Sequence, residues 1–104
     1  MLIYNVTVSI DVSIEEEWKK WMIENHIPDV LKTKCFLEAK LSKIHGEEEG
    51  GKSYSIMYLA STQEHFDRYQ VHFAPKLQKE HLLKFDGKFA AFRTLLTVLE
   101  DFKI

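Results

Sequence analysis

His26 is the residue best suited to chemistry. It stands in His26-Ile27-Pro28, where the proline disfavours helix at Ile27 and is expected to bend the chain, turning the imidazole toward a pocket. An imidazole titrates near neutrality, which suits proton transfer. The structural alternative is a cap, because a helix ending at the bend would favour a cationic imidazole through its dipole. Arg93, beside Phe92, carries a planar guanidinium that could hold a carboxylate or stabilise developing negative charge by paired hydrogen bonds. A structural ion pair with Glu38 or Glu100 is the competing role. We take His26 and Arg93 as the catalytic candidates.

Four further side chains are candidates for ligand binding: Asn5, Thr7, Trp21 and Tyr58. Asn5 and Thr7, with Ser9, share one face of an alternating stretch, where they either bond a ligand or meet solvent. Trp21 and Tyr58 belong to an aromatic set with Trp18, Tyr54, Tyr69 and Phe73, which could wall a flat ligand or simply fill a core. His65 and His72 lie seven apart, about two helical turns, too far for the i, i+4 chelation of a helix. Cys35 is the single cysteine, and no Cys and His spacing resembles a zinc site. Neither a metal nor a cofactor is expected.

These residues need a scaffold, and 104 residues with 45% hydrophobic and 29% charged side chains suffice for one domain, residues 1–104, with one core. Fourteen basic against sixteen acidic side chains give a net charge of −2, which argues against a nucleic-acid partner or an anionic membrane surface. No apolar run approaches a membrane span. The first ten residues alternate rather than forming a basic leader and apolar run, so a strand is expected there and not a signal peptide. A cytoplasmic, reducing setting fits the lone cysteine.

Leu2, Tyr4, Val6, Val8 and Ile10 alternate with more polar residues, the period of a strand. Ser13 and Glu16 have capping-box spacing, and Ile14, Trp18, Trp21, Met22 and Asn25 then recur at helical intervals. The helix is expected to break around Asn25-His26-Ile27, with a short new turn through Asp29, Val30 and Leu31. Phe36 to His45 and Lys52 to Ser61 read as a hairpin across the acidic, glycine-rich turn of residues 46–51. Ser61 and Glu64 again have cap spacing, and a second helix is expected to run to about Phe85, kinked near His72 by Pro75. Phe89 to Asp101 suits a final strand.

The order strand, helix, strand, strand, helix, strand is the ferredoxin-like βαββαβ arrangement of the α+β class: an antiparallel four-stranded sheet with two helices on one face. Nothing in the chain covers the other face, to which Ile3, Met57 and Leu95 or their neighbours are expected to contribute. An uncovered apolar face points to a partner, and a homodimer through the sheet is expected. The RNA-recognition motif shares this order, and Lys52-Ser53-Tyr54 with Tyr58 echoes its third strand. Ser53 stands where glycine is expected, Ile56 where an aromatic is expected, and no basic excess accompanies them.

Trp18-Lys19-Lys20-Trp21-Met22 leading into His26-Ile27-Pro28 resembles the first helix of dimeric α+β barrel proteins. With Ile3-Tyr4-Asn5-Val6-Thr7, Ala74-Pro75-Lys76-Leu77 and Phe92-Arg93-Thr94, the chain resembles a small uncharacterised bacterial family of that group. The resemblance implies two sheets packed face to face and a pocket. Relatives in the superfamily include antibiotic-biosynthesis and haem-degrading monooxygenases, muconolactone isomerases and stress-responsive barrel proteins; counterparts of their site positions are seen only loosely, at Asn5 and His26. The expectation is a small-molecule-binding dimer of monooxygenase or isomerase type. The alternative is a non-enzymatic association module without a ligand pocket.

Overall fold

The computed structural model describes residues 1–46 and 51–104. β1 (Leu2–Asp11) leads through a tight turn at Val12–Ile14 into α1 (Glu15–Trp21), a wide turn at Met22–His26, and α2 (Ile27–Lys32). β2 (Glu38–Lys43) and β3 (Gly51–Ala60) follow, then α3 (Gln63–His72), α4 (Ala74–Lys84) and β4 (Phe89–Thr97). The strands form one antiparallel sheet in the order β2-β3-β1-β4. This is the ferredoxin-like α+β fold. The expected turn over residues 46–51 falls largely outside the described residues.

The period of β1 sets the core. Leu2, Tyr4, Val8 and Ile10 are buried, and Ala60, Tyr58 and Tyr54, the β3 partners of the first three, are buried with them. Trp18, Met22 and Val30 close over this face from the first helical segment, while Phe66, Tyr69, Leu77 and Phe85 close over it from the second. Trp18 has no exposed surface, so its truncation to Ala would cost about 3–5 kcal/mol.

The expected break at His26 is absent. Residues 22–26 instead form a π turn in which the Ile27 amide bonds to the Met22 carbonyl, and the helix continues into α2 with Ile27 helical at φ −63° and ψ −45°. Two features of the sequence account for it. Pro28 follows the wide turn directly: it has no N–H to bond back into the preceding turn, and the widening makes room for its ring, which would crowd the carbonyl four residues earlier in a regular α-helix. In addition, Trp18, Met22, His26 and Val30 all point inward at a stride of four. At about 100° per residue each such step drifts by about 40°, so an unbroken α-helix would carry Val30 about 120° away from Trp18. The wider turn removes most of that drift.

The ends of several elements also differ from expectation. β2 starts at Glu38 because Phe36 turns inward to pack on Tyr58 and Tyr69, with ring centroids 5.2 and 4.9 Å apart. β4 ends at Thr97, where β1 runs out of partners. Thr62, not Ser61, caps α3 by accepting from the His65 amide. The second helical segment breaks at Phe73 (φ −124°) before Pro75, close to the expected kink.

Register also settles which side chains face away from the helices. Ile3, Asn5, Thr7 and Ser9 stand opposite Leu59, Met57, Ser55 and Ser53 on β3, and opposite Leu96, Thr94, Phe92 and Ala90 on β4. Ile3 and Met57 therefore occupy the open face as expected. Leu95 does not: it pairs with Tyr4 and shares the helix side, and its neighbours Phe92 and Leu96 take the open face, 65% and 47% exposed.

Candidate functional site

A cavity lies between the sheet and the helices. Tyr4, Val6 and Val8 of β1 and Ile56 and Tyr58 of β3 form its floor. Met22 and His26 cover it from the first helical segment, Tyr69, Gln78 and His81 from the second, and Ala91 and Arg93 close the β4 side. Its volume is about 30 Å³, the space of about one water molecule.

The π turn is what places His26 here. The imidazole lines the cavity, and its Nδ1 is the one buried side-chain nitrogen or oxygen without a hydrogen-bond partner among the described residues. Burial pushes its pKa down to about 4, against the pull of Asp29 and with a smaller push from Arg93, so the ring is neutral at pH 7. No helix ends at His26, so the capping role is ruled out by the continuous helix.

His81 stands 5.7 Å from His26, ring centre to ring centre. The buried Trp18 Nε1 donates to His81 Nε2 at 2.8 Å, which requires a lone pair at that nitrogen and leaves the proton on Nδ1. Burial lowers this pKa also to about 4, helped by the cost of protonating both neighbouring imidazoles, His26 and His81, together and by the Arg93 charge. Trp21 stacks on both imidazoles, at 5.1 Å from His26 and 5.7 Å from His81. It holds the rings from behind and is not among the residues lining the cavity.

Three phenols face the histidines. Burial raises the pKa of Tyr58, Tyr69 and Tyr4, so each keeps its proton and can donate it in a hydrogen bond. At Tyr4 the nearby Arg93 charge opposes that rise. Arg93 itself reaches this side because it pairs with Val6 on the inward face. Among the described residues no ion pair engages it, with Glu38, Glu100 or any other carboxylate.

The structure thus brings together His26, Arg93 and Tyr58, with Trp21 against the first of them. Asn5 and Thr7 lie on the opposite sheet face, where the Ser55 hydroxyl donates to Asn5 Oδ1 and Asn5 Nδ2 donates to Thr7 Oγ1 at 3.2 Å. They do not line the cavity. Sequence reasoning passed over His81, Tyr4 and Gln78. The signal for His81 was present: Ala74, Leu77 and His81 form the buried stripe of α4, and a histidine in an apolar stripe must satisfy or exploit its nitrogens. The same stride of four that runs from Trp18 to Val30 would have kept His26 within a helix.

Comparison with known proteins agrees on the fold. No curated protein matches the chain. A dimeric ferredoxin-like protein from an uncultured marine organism superposes with a TM-score of 0.76 at 17% identity, over 100% of both chains. A mutant of SnoaB, a cofactor-independent oxygenase from Streptomyces nogalater, gives 0.68 at 12% identity, over 96% of this chain and 95% of its own. The haem-degrader MhuD from Mycobacterium tuberculosis, with two haems bound in its active site, gives 0.67 at 14% identity, over 99% of this chain and 100% of its own. At these identities the likeness is one of fold. The family match covers residues 1–99, and the protein belongs to the family described as a domain of unknown function, DUF4286.

Proposed function

We propose that the protein binds a small organic molecule in the cavity between sheet and helices, as a homodimer joined through the open sheet face. One observation carries the ligand reading: a neutral imidazole whose buried Nδ1 has no partner lines a cavity that phenols and a guanidinium also face. A buried polar atom left unpaired costs about 1–3 kcal/mol, a cost that a ligand or a trapped water can relieve. The dimer reading rests on the open face and on the dimeric relative of the same fold.

Proton transfer is the step for which the cavity holds an acceptor, and it is common to the monooxygenase and isomerase readings. His26 would take a proton from an acidic C–H or O–H of the bound molecule, with phenol donors facing the charge left behind. A pKa of about 4 makes the empty site a weak base, so a bound anion that raises it would be part of the mechanism.

A panel of one- and two-ring aromatic fragments tests the ligand site through thermal shifts of wild type and His26→Ala. Fragments that stabilise the wild type are expected to lose that effect in the variant. Equal shifts in both proteins would remove His26 from the site. An association module, the competing reading, would give no shift in either.

A further inference from the structure

We propose that the ligand is an organic anion with a flat apolar body, which enters between α4 and the edge strand β4 and is selected by Arg93 at that mouth. The inference rests on the cavity being a ligand site and goes further by naming the ligand's charge and its route.

The route follows from topology. β4 is the last strand of the sheet, with β1 as its one neighbour, so nothing in the sheet blocks its outer edge. A groove of about 430 Å³ lies between this edge and α4, built from Pro75, Lys79 and Leu82 on the helix and Phe89 and Ala90 on the strand. The groove and the inner cavity share four residues: Gln78, His81, Ala91 and Arg93. They are therefore adjoining spaces with a common wall. The inner cavity admits only a few atoms, whereas the groove falls within the size range of small-molecule sites.

Charge decides what the mouth accepts. Arg93 and Lys79 line the groove, while no Asp or Glu is among the residues lining either space. Asp29 is the carboxylate whose field reaches His26, and it lines a different surface hollow. Arg93 is exposed and makes no ion pair among the described residues; its neighbour is the neutral Tyr4 hydroxyl, so its fork of donors can meet a carboxylate without first giving up a charged partner. The groove has room for the ligand body, against Pro75, Leu82 and Phe89, while the inner cavity, walled by Val6, Val8, Ile56 and Met22, admits only its leading atoms. A ligand with its acidic group at Arg93 and its body in the groove would rest against the shared wall at His81 and direct only its inner edge toward His26.

Two probes of one shape separate charge from shape: 1-naphthoate and its neutral amide, 1-naphthamide, titrated into the full-length protein while the His26 and His81 ring resonances are followed by NMR. The expected result is naphthoate binding at least tenfold tighter than naphthamide. R93Q should abolish that ratio chiefly by weakening naphthoate, and R93K should restore part of it. Gln78→Trp, which fills the mouth without changing charge, should weaken both probes. Equal affinities in the wild type, or an unchanged ratio in R93Q, would overturn the role of Arg93. Full binding in Gln78→Trp would overturn the route. Failure of both probes to move either histidine at millimolar concentration would overturn the ligand site itself, and the inference with it.

Discussion

His26 and His81 are imidazoles that the fold keeps neutral. Both have folded pKa values near 4, below the ordinary value of about 6.5. Between those limits the unfolded chain binds the protons that the folded chain refuses. The stability tied to each histidine is therefore fully present above pH 6.5 and is lost as the pH falls toward 4. Urea unfolding should show a midpoint that declines from pH 6.5 to pH 5, above the range where most carboxylates titrate. His81→Gln keeps an acceptor for Trp18 Nε1 and removes one titrating group, so its decline should be shallower; an identical slope would mean that His81 titrates alike in both states. Tyr54 offers a second test. Its hydroxyl donates to Glu15, which also meets Lys43 at 3.6 Å, tying the start of α1 to β2 and β3. Tyr54→Phe should cost about 1–2 kcal/mol in urea unfolding, and no loss would show the contact to be dispensable. At this scale the sequence made His26 and Arg93 visible because their chemistry is unusual in an apolar context. It hid Tyr4 and left Tyr69 undecided, since an aromatic at strand or helix spacing looks the same whether it fills a core or faces a cavity.

The element that positions the site is the helix from Glu15 to Lys32 with its π turn. The stride of four from Trp18 to Val30 explains the turn by the drift of the α-helix, and Pro28 merely tolerates it. Pro28→Ala should leave the Ile27 amide bonded to the Met22 carbonyl and change stability by no more than about 1 kcal/mol. A crystal structure of the variant with a regular α-helix there would assign the turn to the proline instead. The order of strands and helical segments was legible because alternation in β1 and β3 and helical spacing after residues 13 and 61 are local signals; the caps were less so, since Asp11 rather than Ser13 accepts at the first segment and Thr62 rather than Ser61 at the second. The turn was not, because a proline after His26 has the same local signature whether the helix stops or widens; the inward packing of Val30 under the sheet decides between them. Asn5 and Thr7 were legible as a strand face, and pairing with β3 and β4 put that face away from the helices.

The whole molecule measures 38 × 35 × 20 Å, the short dimension being one layer of helix on one layer of sheet. A two-layer domain of this kind leaves a sheet face open, and here Phe92 and Leu96 stand exposed on it beside the internally bonded Asn5, Thr7 and Ser55. Light scattering should give twice the chain mass of 12.3 kDa for the wild type. Phe92→Glu, which puts charge on the exposed apolar β4 side of that face, should give the single chain mass with an unchanged circular dichroism spectrum. A monomeric wild type would leave the open face without its second copy. The site lies on the other side of the sheet, within one chain, so the central claim is that each chain holds a preformed cavity with an unpaired neutral imidazole. The most direct measurement is the NMR titration of the His26 ring in the intact protein. A titration midpoint near pH 4, with the ring neutral throughout the physiological range, is the predicted result; a midpoint near 6.5, that of an imidazole in water, would contradict it.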